Sequence, residues 1–394
     1  MLRISIAALG IYLSTAAAFS QSAQDTSTYK NRKLKVEEVN FVSSYYQQDG
    51  NNSAVTGGIG TEKLTDFATT LDVKLSRYDF RKRKHTLTGE VGIDVYTSAS
   101  SDKIDPNTIS SASSGDKRIY PSLTYAITNE EKGSTVSVNG SISTEYDYFS
   151  KGISLGWSKL SKDKNREFGV KGQIFLDTWT VILPIELRKN GGMTDGTKPR
   201  NSYSTSFTLS QVVTRRLQFI LMTDFAYQDG QLATLYQRAY FTDGSHKVEN
   251  LPDSRLKLPL GARLNYFLGD RFIFRSYYRY YLDNWGMTAH TAELEIPIKI
   301  TPFFSLSPFY RYYKQQSVKY FASYQQHNAS EEFYTSDFDL STLTSNMTGL
   351  GIRYSPPGGL MGIPKFNALE LRYGHYQRST GLNADIITLL VKLK

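Results

Sequence analysis

Residues 271–283 have two faces of very different polarity when alternate positions are separated. The even positions from Phe272 to Leu282 are aromatic or aliphatic apart from Ser276, whereas the odd positions include Arg271, Arg275 and Arg279. Successive side chains of a β-strand point to opposite faces, so this segment predicts a strand with one apolar and one charged face. It is roughly twice as long as a usual strand in a water-soluble protein, and about 9–11 tilted residues cross a bilayer. An apolar outer face and a charged inner face are what a transmembrane β-barrel requires.

The same alternation recurs along most of the chain, and no helical period of any length accompanies it. We therefore predict an all-β fold, a transmembrane outer-membrane β-barrel of about 16 antiparallel strands, with 14 or 18 as alternatives. The predicted strands are 36–49, 64–79, 85–98, 117–128, 133–147, 149–160, 166–180, 201–213, 216–229, 256–267, 271–283, 287–300, 303–316, 346–355, 366–377 and 384–394.

The predicted connections alternate in length, which also favours a barrel. Short connections fall at 80–84, 129–132, 161–165, 214–215, 268–270 and 301–302, with 356–365 a little longer, and long polar ones fall at 50–63, 99–116, 181–200, 230–255 and 317–345. Short periplasmic turns opposite long external loops are typical of outer-membrane barrels. A soluble β-sandwich also alternates, but its strands are shorter.

The N-terminus predicts export. Arg3 precedes an apolar run from Ile4 to Leu13, and small residues follow up to Ser20. This pattern is typical of a cleaved signal peptide, and the apolar run is shorter than the about 20 residues of a spanning helix. We expect a signal peptide over 1–20, a flexible leader over 21–35 and a single transmembrane barrel domain over 36–394. The predicted location is the bacterial outer membrane.

Composition excludes several kinds of chemistry. The chain contains no cysteine, which excludes disulfides, thiol catalysis and cysteine-ligated metals. Its five histidines are dispersed, and no nucleophile-elbow motif occurs. The net charge of +9 is scattered, so nucleic acid is not an expected partner. We predict no enzyme activity, no catalytic residues, no cofactor and no metal site.

The inward positions of the predicted strands collect charged side chains on neighbouring parts of the wall. These candidate lumen residues are Lys257, Arg263, Arg275, Arg279, Glu293, Glu295, Arg311, Arg353, Glu370 and Arg372. One interpretation is a selectivity ring whose transverse field sorts solutes. The other is a network of ion pairs that stiffens the wall. Since Arg275 and Arg279 would face Glu293 and Glu295 on the next strand, the pattern weakens any prediction of simple anion selectivity.

Tyrosines cluster near the predicted strand ends, for example at Tyr45–Tyr46, Tyr96, Tyr148 and Tyr376. Aromatic side chains at these positions favour girdles at the two membrane interfaces. An aromatic path for solutes inside the lumen is the alternative.

Several short segments of the sequence resemble an uncharacterised bacterial outer-membrane family. They are YYQQDG at 45–50, SAVTGG at 53–58, GTEKLTD at 60–66, YTSASSD at 96–102, VENLPDSR at 248–255 and RSYYRYY at 275–281 with DNWG at 283–286. The family they resemble is domain of unknown function 3570, and the resemblance covers nearly the whole mature chain. It implies partners in the periplasm, a lipoprotein or redox proteins linked to a flavin transferase, and it supplies no catalytic residue.

Three functions are compatible with these features. The first is a porin-like pore or conduit for small solutes, surrounded by outer-membrane lipids and lined by arginine, tyrosine and glutamate. The second is a closed barrel that acts as an outer-membrane scaffold for the periplasmic lipoprotein or flavin and redox partners. The third, an outer-membrane hydrolase, has no motif to support it.

Overall fold

The fold is a closed antiparallel β-barrel, seen in a computed structural model that describes residues 33–97, 115–183 and 194–394. Sixteen strands form the wall when β14 and β15 are counted as one interrupted strand, which confirms the predicted number. The strands are β1 (Lys35–Asp49), β2 (Leu64–Tyr78), β3 (Lys84–Tyr96), β4 (Asp116–Asn129), β5 (Ser134–Thr144), β6 (Tyr148–Leu160), β7 (Arg166–Ile182), β8 (Thr194–Thr214), β9 (Leu217–Gly230), β10 (Arg238–Tyr240), β11 (His246–Val248), β12 (Ser254–Leu268), β13 (Phe272–Asp283), β14 (Thr288–Glu295), β15 (Ile298–Lys299), β16 (Phe304–Gln315), β17 (Leu343–Tyr354), β18 (Phe366–Arg378) and β19 (Asn383–Leu393).

Each wall strand pairs with its neighbours in chain order, and the first and last strands close the barrel. β1 pairs with β19 from Val39 opposite Leu393 to Asp49 opposite Asn383. Among the strands of the described residues, only β10 and β11 stand outside the wall, as a small hairpin between β9 and β12. Closure leaves no wall strand with an unpaired edge, as a membrane-spanning sheet requires.

The outward positions form an apolar surface that is exposed in the isolated chain. Leu155 is 63% exposed, Val136 57% and Leu123 54%, although all three belong to long regular strands. Such a continuous apolar band is unusual on a protein that faces water, and it is the lipid-facing band of an outer-membrane barrel. No helix among the described residues is long and apolar enough to cross a membrane.

The two ends of the barrel differ. The chain enters β1 and leaves β19 at the end that carries the short connections, here called the turn end. Long connections gather at the other end, the loop end, together with the short ones at 145–147, 284–287 and 379–382. The predicted signal peptide, most of the predicted leader and most of the 99–116 loop lie outside the described residues.

The strand boundaries lie within three residues of the predictions except at the start of β8. β8 begins at Thr194, because residues 194–200 pair with the end of β7 over 177–182. The polar sequence of residues 194–200 suggested a loop. The predicted strand 287–300 is interrupted after Glu295, where Pro297 has no amide hydrogen to donate.

Three connections at the loop end pack together, and we call residues 50–63, 231–253 and 316–342 the plug. Phe241 and His327 are fully buried and bridge two of these connections. The third joins them because Arg238 donates a hydrogen bond to the Val55 carbonyl over 2.6 Å. Gly57, at a φ of +82°, lies so close that an added Cβ would be 2.5 Å from the Tyr240 ring.

The plug spans the mouth of the barrel, since it contacts strands on both sides of it. Arg200 of β8 donates to the carbonyls of Gln231 and Leu232 over 2.7 and 3.0 Å. Across the mouth, Gln315 of β16 donates to the Asp339 carbonyl over 2.9 Å. At a third position, a buried apolar cluster packs Val318 of the plug against Trp285 in the connection from β13 to β14. The plug is therefore a packed part of the fold.

Candidate functional site

A cavity of about 770 Å³ lies between the plug and the inner surface of the wall, and we call it the chamber. Wall strands on several sides contribute inward side chains to it, including Tyr46, Tyr148, Arg311 and Tyr376. The plug contributes residues from all three of its connections. This volume lies within the about 300–1,000 Å³ typical of small-molecule sites.

Carboxylates outnumber basic groups around the chamber. Among the described residues, six carboxylates line it, namely Glu62, Asp116, Glu145, Asp147, Asp337 and Asp339, against the three guanidinium groups of Arg200, Arg311 and Arg378. Glu62, Asp337 and Asp339 belong to the plug. Asp116, Glu145 and Asp147 lie at the loop end of β4 and in the connection from β5 to β6. The chamber therefore has an acidic lining on both the plug and the wall.

All three arginines already have partners. Arg378 is 2.6 Å from Asp339 and Arg311 is 2.6 Å from Glu293. Arg200 donates to two plug carbonyls and lies over the Trp179 ring, 4.8 Å from its centroid. Two of the three guanidinium charges are therefore paired with carboxylates, and the hydrogen-bond donors of Arg200 are bound to carbonyls.

The carboxylates are less well neutralised. Glu145 has Arg118 at 3.6 Å and accepts a hydrogen bond from the Tyr96 hydroxyl over 2.8 Å. Within the described parts of the chain, no basic side chain forms an ion pair with Glu62, Asp116, Asp147 or Asp337. A carboxylate in such a site attracts a cation from solution.

Burial and mutual repulsion change the proton affinity of the plug carboxylates. Burial, together with the nearby charge of Asp339, raises the pKa of Glu62 to about 7. The same two causes raise the pKa of Asp337 to about 6. Burial also raises the pKa of Glu145, which Tyr96 and Arg118 oppose. The chamber thus becomes more negative as the pH rises through 6 to 7.

Aromatic rings form much of the remaining chamber lining. Trp179 of β7 meets Tyr236 of the plug edge to face, with ring centroids 6.2 Å apart. Tyr46, Tyr96, Tyr148 and Tyr376 also line the chamber. Other tyrosines near strand ends face outward, including Tyr45 of β1 at 40% and Tyr354 of β17 at 43% exposure. The terminal tyrosines are thus divided between the outer surface, as a girdle requires, and the lumen.

The predicted lumen residues mostly join in a network beside and below the chamber. It includes the ion pairs Arg311–Glu293 at 2.6 Å, Arg275–Glu295 at 3.5 Å, Arg372–Glu295 at 2.9 Å, Arg372–Glu370 at 3.2 Å and Arg353–Glu370 at 3.4 Å. Arg372 thus connects β18 to β14, which are separated by two strands. Of the ten, only Arg311 lines the chamber.

The other three residues of that set lie apart from these pairs. Arg263 lies over the Tyr277 ring, 5.5 Å from its centroid. Lys257 is opposite Asp283 in the pairing of β12 with β13. Arg279 is exposed on β13.

The network is accessible to water. The side chains of Arg275, Arg311 and Arg353 keep 48%, 49% and 47% of their accessible surface despite their ion pairs. Inward residues of a filled barrel would be buried, so these values indicate water-accessible space beside this wall.

Apart from Arg311 and four of the tyrosines, the sequence predictions missed the chamber residues, because most of them lie in connections or at strand ends. The signal for the plug was the presence of Phe241, Phe321 and Phe338 in connections that are otherwise polar. No group of three or more carboxylates or histidines among the described residues is arranged to hold a metal ion.

The family model DUF3570, described as "Protein of unknown function", matches residues 11–384. No curated protein matches the sequence significantly.

Solved structures give low-scoring matches. The outer membrane protein OpdK of Pseudomonas aeruginosa is 9% identical, with a TM-score of 0.45 and coverage of 93% of this chain and 99% of that one. OccAB1 of Acinetobacter baumannii is 8% identical, with a TM-score of 0.45 and coverage of 95% and 99%. A BenF-like porin of Pseudomonas fluorescens is 10% identical, with a TM-score of 0.42 and coverage of 92% and 99%. At these identities and scores they say nothing about solutes.

Proposed function

We propose that this chain, which belongs to the DUF3570 family of proteins of unknown function, is a porin-like outer-membrane pore for small solutes. Its external mouth is narrowed by the plug, and solutes reach the charged lumen through the chamber. The observation that carries the proposal is the combination of the chamber with a water-accessible charged wall below it. Neither the chamber nor the water-accessible wall is expected in a closed barrel that serves only as a membrane anchor.

In this proposal the charges of the ten lumen residues together produce an electric field across the pore. Arg275, Arg353 and Arg372 carry the positive charge on one side of the lumen, with Glu295 and Glu370 between them. The acidic residues Asp116, Glu145 and Asp147 belong to β4–β6 and their connections, about half a turn of the barrel away. Opposed charges across a pore orient dipolar solutes and slow those with unsuitable charge.

Reconstitution into planar bilayers tests the pore. We expect stepwise conductance, and swelling of liposomes that contain the protein when they are placed in isosmotic solutions of small sugars or amino acids. Matched preparations of detergent without protein serve as controls. A pure and folded barrel that gives neither conductance nor swelling would contradict the proposal.

A scaffold role is the second candidate, and two observations favour it. The plug has a fully buried centre, as in a barrel closed to transport. At the turn end, Met361 and Ile363 of the connection from β17 to β18 are 93% and 52% exposed. Such residues suit contact with a periplasmic lipoprotein or a flavin-linked redox protein.

The two candidates differ in the effect of one surface change. If the barrel is a scaffold, Met361→Ser with Ile363→Ser abolishes co-purification of a specific periplasmic partner from native membranes. If it is a pore, the same variant conducts as the wild type does. A wild-type barrel that is isolated alone from native membranes counts against the scaffold.

A further inference from the structure

We propose that the chamber is a binding site for small organic cations, compounds that carry ammonium or guanidinium groups on a short apolar body. The inference rests on the proposed pore function and names its class of solute. It depends on three features of the chamber, namely its charge, its aromatic lining and its size.

The charge favours cations because the two signs are neutralised unequally. Each of the three chamber arginines has a partner within the protein: Asp339, Glu293, or the carbonyls of residues 231 and 232. Among the described residues, Asp147 accepts a hydrogen bond from the Trp179 indole over 3.4 Å, Asp116 accepts from the amides of Lys117 and Tyr146 over 2.6 and 3.0 Å, and neither forms an ion pair. In this part of the chain an anion would meet an excess of carboxylates and arginines that are already bonded, whereas a cation would meet carboxylates that no basic side chain pairs with.

The aromatic lining is a second and independent feature, and the chain itself shows what it binds. The guanidinium of Arg200 lies 4.8 Å from the centroid of the Trp179 ring, within the range of a cation–π interaction. Trp179 also contacts Tyr236 of the plug. That face of Trp179 is covered by Arg200, and the side chain is only 5% exposed. The rings open to a solute are those of Tyr46, Tyr96, Tyr148 and Tyr376, which line the same chamber as Asp147, so the lining offers carboxylates and ring faces together.

The size of the chamber limits the solute. A volume of about 770 Å³ holds a molecule of a few hundred daltons with some water. Carboxylates are present on opposite sides, Asp147 on the wall and Glu62 and Asp337 on the plug. A compound with two separated cationic groups can therefore contact both sides at once.

Isothermal titration calorimetry on the folded full-length barrel in detergent tests the inference with a matched series. The probes are butane-1,4-diamine, butane-1,4-diol and butanedioate, which share a four-carbon body and differ in charge. A second pair, 2-phenylethylamine and 3-phenylpropanoate, adds an aromatic body. We expect each amine to bind about tenfold more tightly than its neutral or anionic counterparts at low salt, and less tightly at high salt.

Single-residue variants test whether the amines bind in the chamber. Asp147→Asn and Glu62→Gln keep the shape of the side chain and should each weaken amine binding about threefold to tenfold. Tyr46→Leu should weaken binding of 2-phenylethylamine by a similar factor, and Tyr45→Leu, on the outer surface, should not. Asp163→Asn, in a turn at the opposite end of the barrel, makes the same charge change and should leave binding unaltered.

Equal affinity for the three four-carbon probes, or unchanged binding in both carboxylate variants, would overturn the inference. Heat-modifiable gel mobility of every variant verifies that the barrel is folded. The conductance of the same preparations separates this inference from the proposed function. Current without a preference for amines refutes the cation site alone, whereas amine binding without any current refutes the pore alone.

Discussion

Arg378 at the loop end of β18 donates a hydrogen bond to Asp339 of the plug over 2.6 Å, and this ion pair joins the barrel wall to the plug. Gln315 of β16 supports the same stretch by donating to the carbonyls of residues 339 and 341. Arg200 of β8 makes further hydrogen bonds to the plug, so the plug is attached to the wall at several points. Because the contact between Arg378 and Asp339 joins two side chains, a single substitution can remove it and leave the other attachments in place.

Replacement of Arg378 by Gln should loosen the plug and leave the barrel folded. Because the Asp339 side chain is 65% exposed, the loss of stability should be at most about 1 kcal/mol. In single-channel recordings we expect more frequent fluctuations between conductance levels. Arg353→Gln is the control, since Arg353 pairs with Glu370 on the wall. Identical current noise in the wild type and the Arg378 variant would contradict the role of this pair.

Protonation of Glu249 should control how firmly the plug is packed. This side chain is 5% exposed and accepts hydrogen bonds from the Thr234 amide and the Thr335 hydroxyl. Burial raises the pKa of Glu249 to about 7, against the opposing effect of these two donors. A carboxyl whose pKa is raised in the packed state binds its proton more tightly there than in the opened state. The packed plug is therefore favoured most at low pH and loses up to about 3 kcal/mol as the pH rises from about 4.5 to 7.

Limited proteolysis of the plug at pH 5 and pH 8 measures this effect. Cleavage within residues 231–253 should be faster at pH 8 in the wild type. Glu249→Gln should reduce the difference, because the amide stays neutral and the Thr335 hydroxyl can accept as well as donate a hydrogen bond. Equal cleavage of the wild type at both values, measured with a protease of equal activity at each, would refute the prediction.

Substitutions that change the charge of lumen residues should change ion selectivity, and the sign of the charge change should set the direction. Arg275→Glu or Arg279→Glu should shift the reversal potential in a salt gradient towards cations. Glu295→Gln should shift it towards anions, because Arg275 and Arg372 both lose a counter-charge. The matched control is Asp163→Asn, in a turn outside the lumen. If all variants share the wild-type potential, the lumen residues only stiffen the wall.

The outward face of β6 should tolerate apolar residues and reject charge. Leu155 is 63% exposed near the middle of this strand. Leu155→Arg should destabilise the barrel in lipid vesicles by about 2–4 kcal/mol, as expected for a basic residue at the bilayer midplane. Leu155→Ala keeps the face apolar and should have a smaller effect. Denaturant unfolding in vesicles measures both, and equal stability of the two variants would place this face outside the membrane.

The sequence was sufficient to predict the wall. Alternation along each strand depends only on the two-residue period, so segments such as 271–283 showed their two faces directly. The neighbours of each strand followed from the short connections, and this order put Arg275 and Arg279 beside the strand that carries Glu293 and Glu295. The register did not follow from it: Arg275 is opposite Glu295, whereas Arg279 is opposite Thr291. The extension of β8 was missed because its polar residues pair beyond the apolar band, where alternation gives no signal.

The plug and chamber could not be predicted in this way. Contacts such as Phe241 with His327 join residues from connections far apart in the chain, and no period links them. Their apolar residues are few and irregularly spaced, so they looked like ordinary loop residues. The predicted selectivity set therefore described the wall, whereas most of the charge around the chamber came from connections and strand ends.

The most direct test of the account is to remove one connection of the plug and record single-channel currents. Gln315 and Leu343 are opposite each other in adjacent strands, so a short Gly-Ser turn can replace residues 317–341 without straining β16 or β17. We predict that the wild type conducts in small steps and that the replaced form gives a larger and steadier conductance. Absence of current from both folded proteins would contradict the central claim that an open lumen lies beneath the plug.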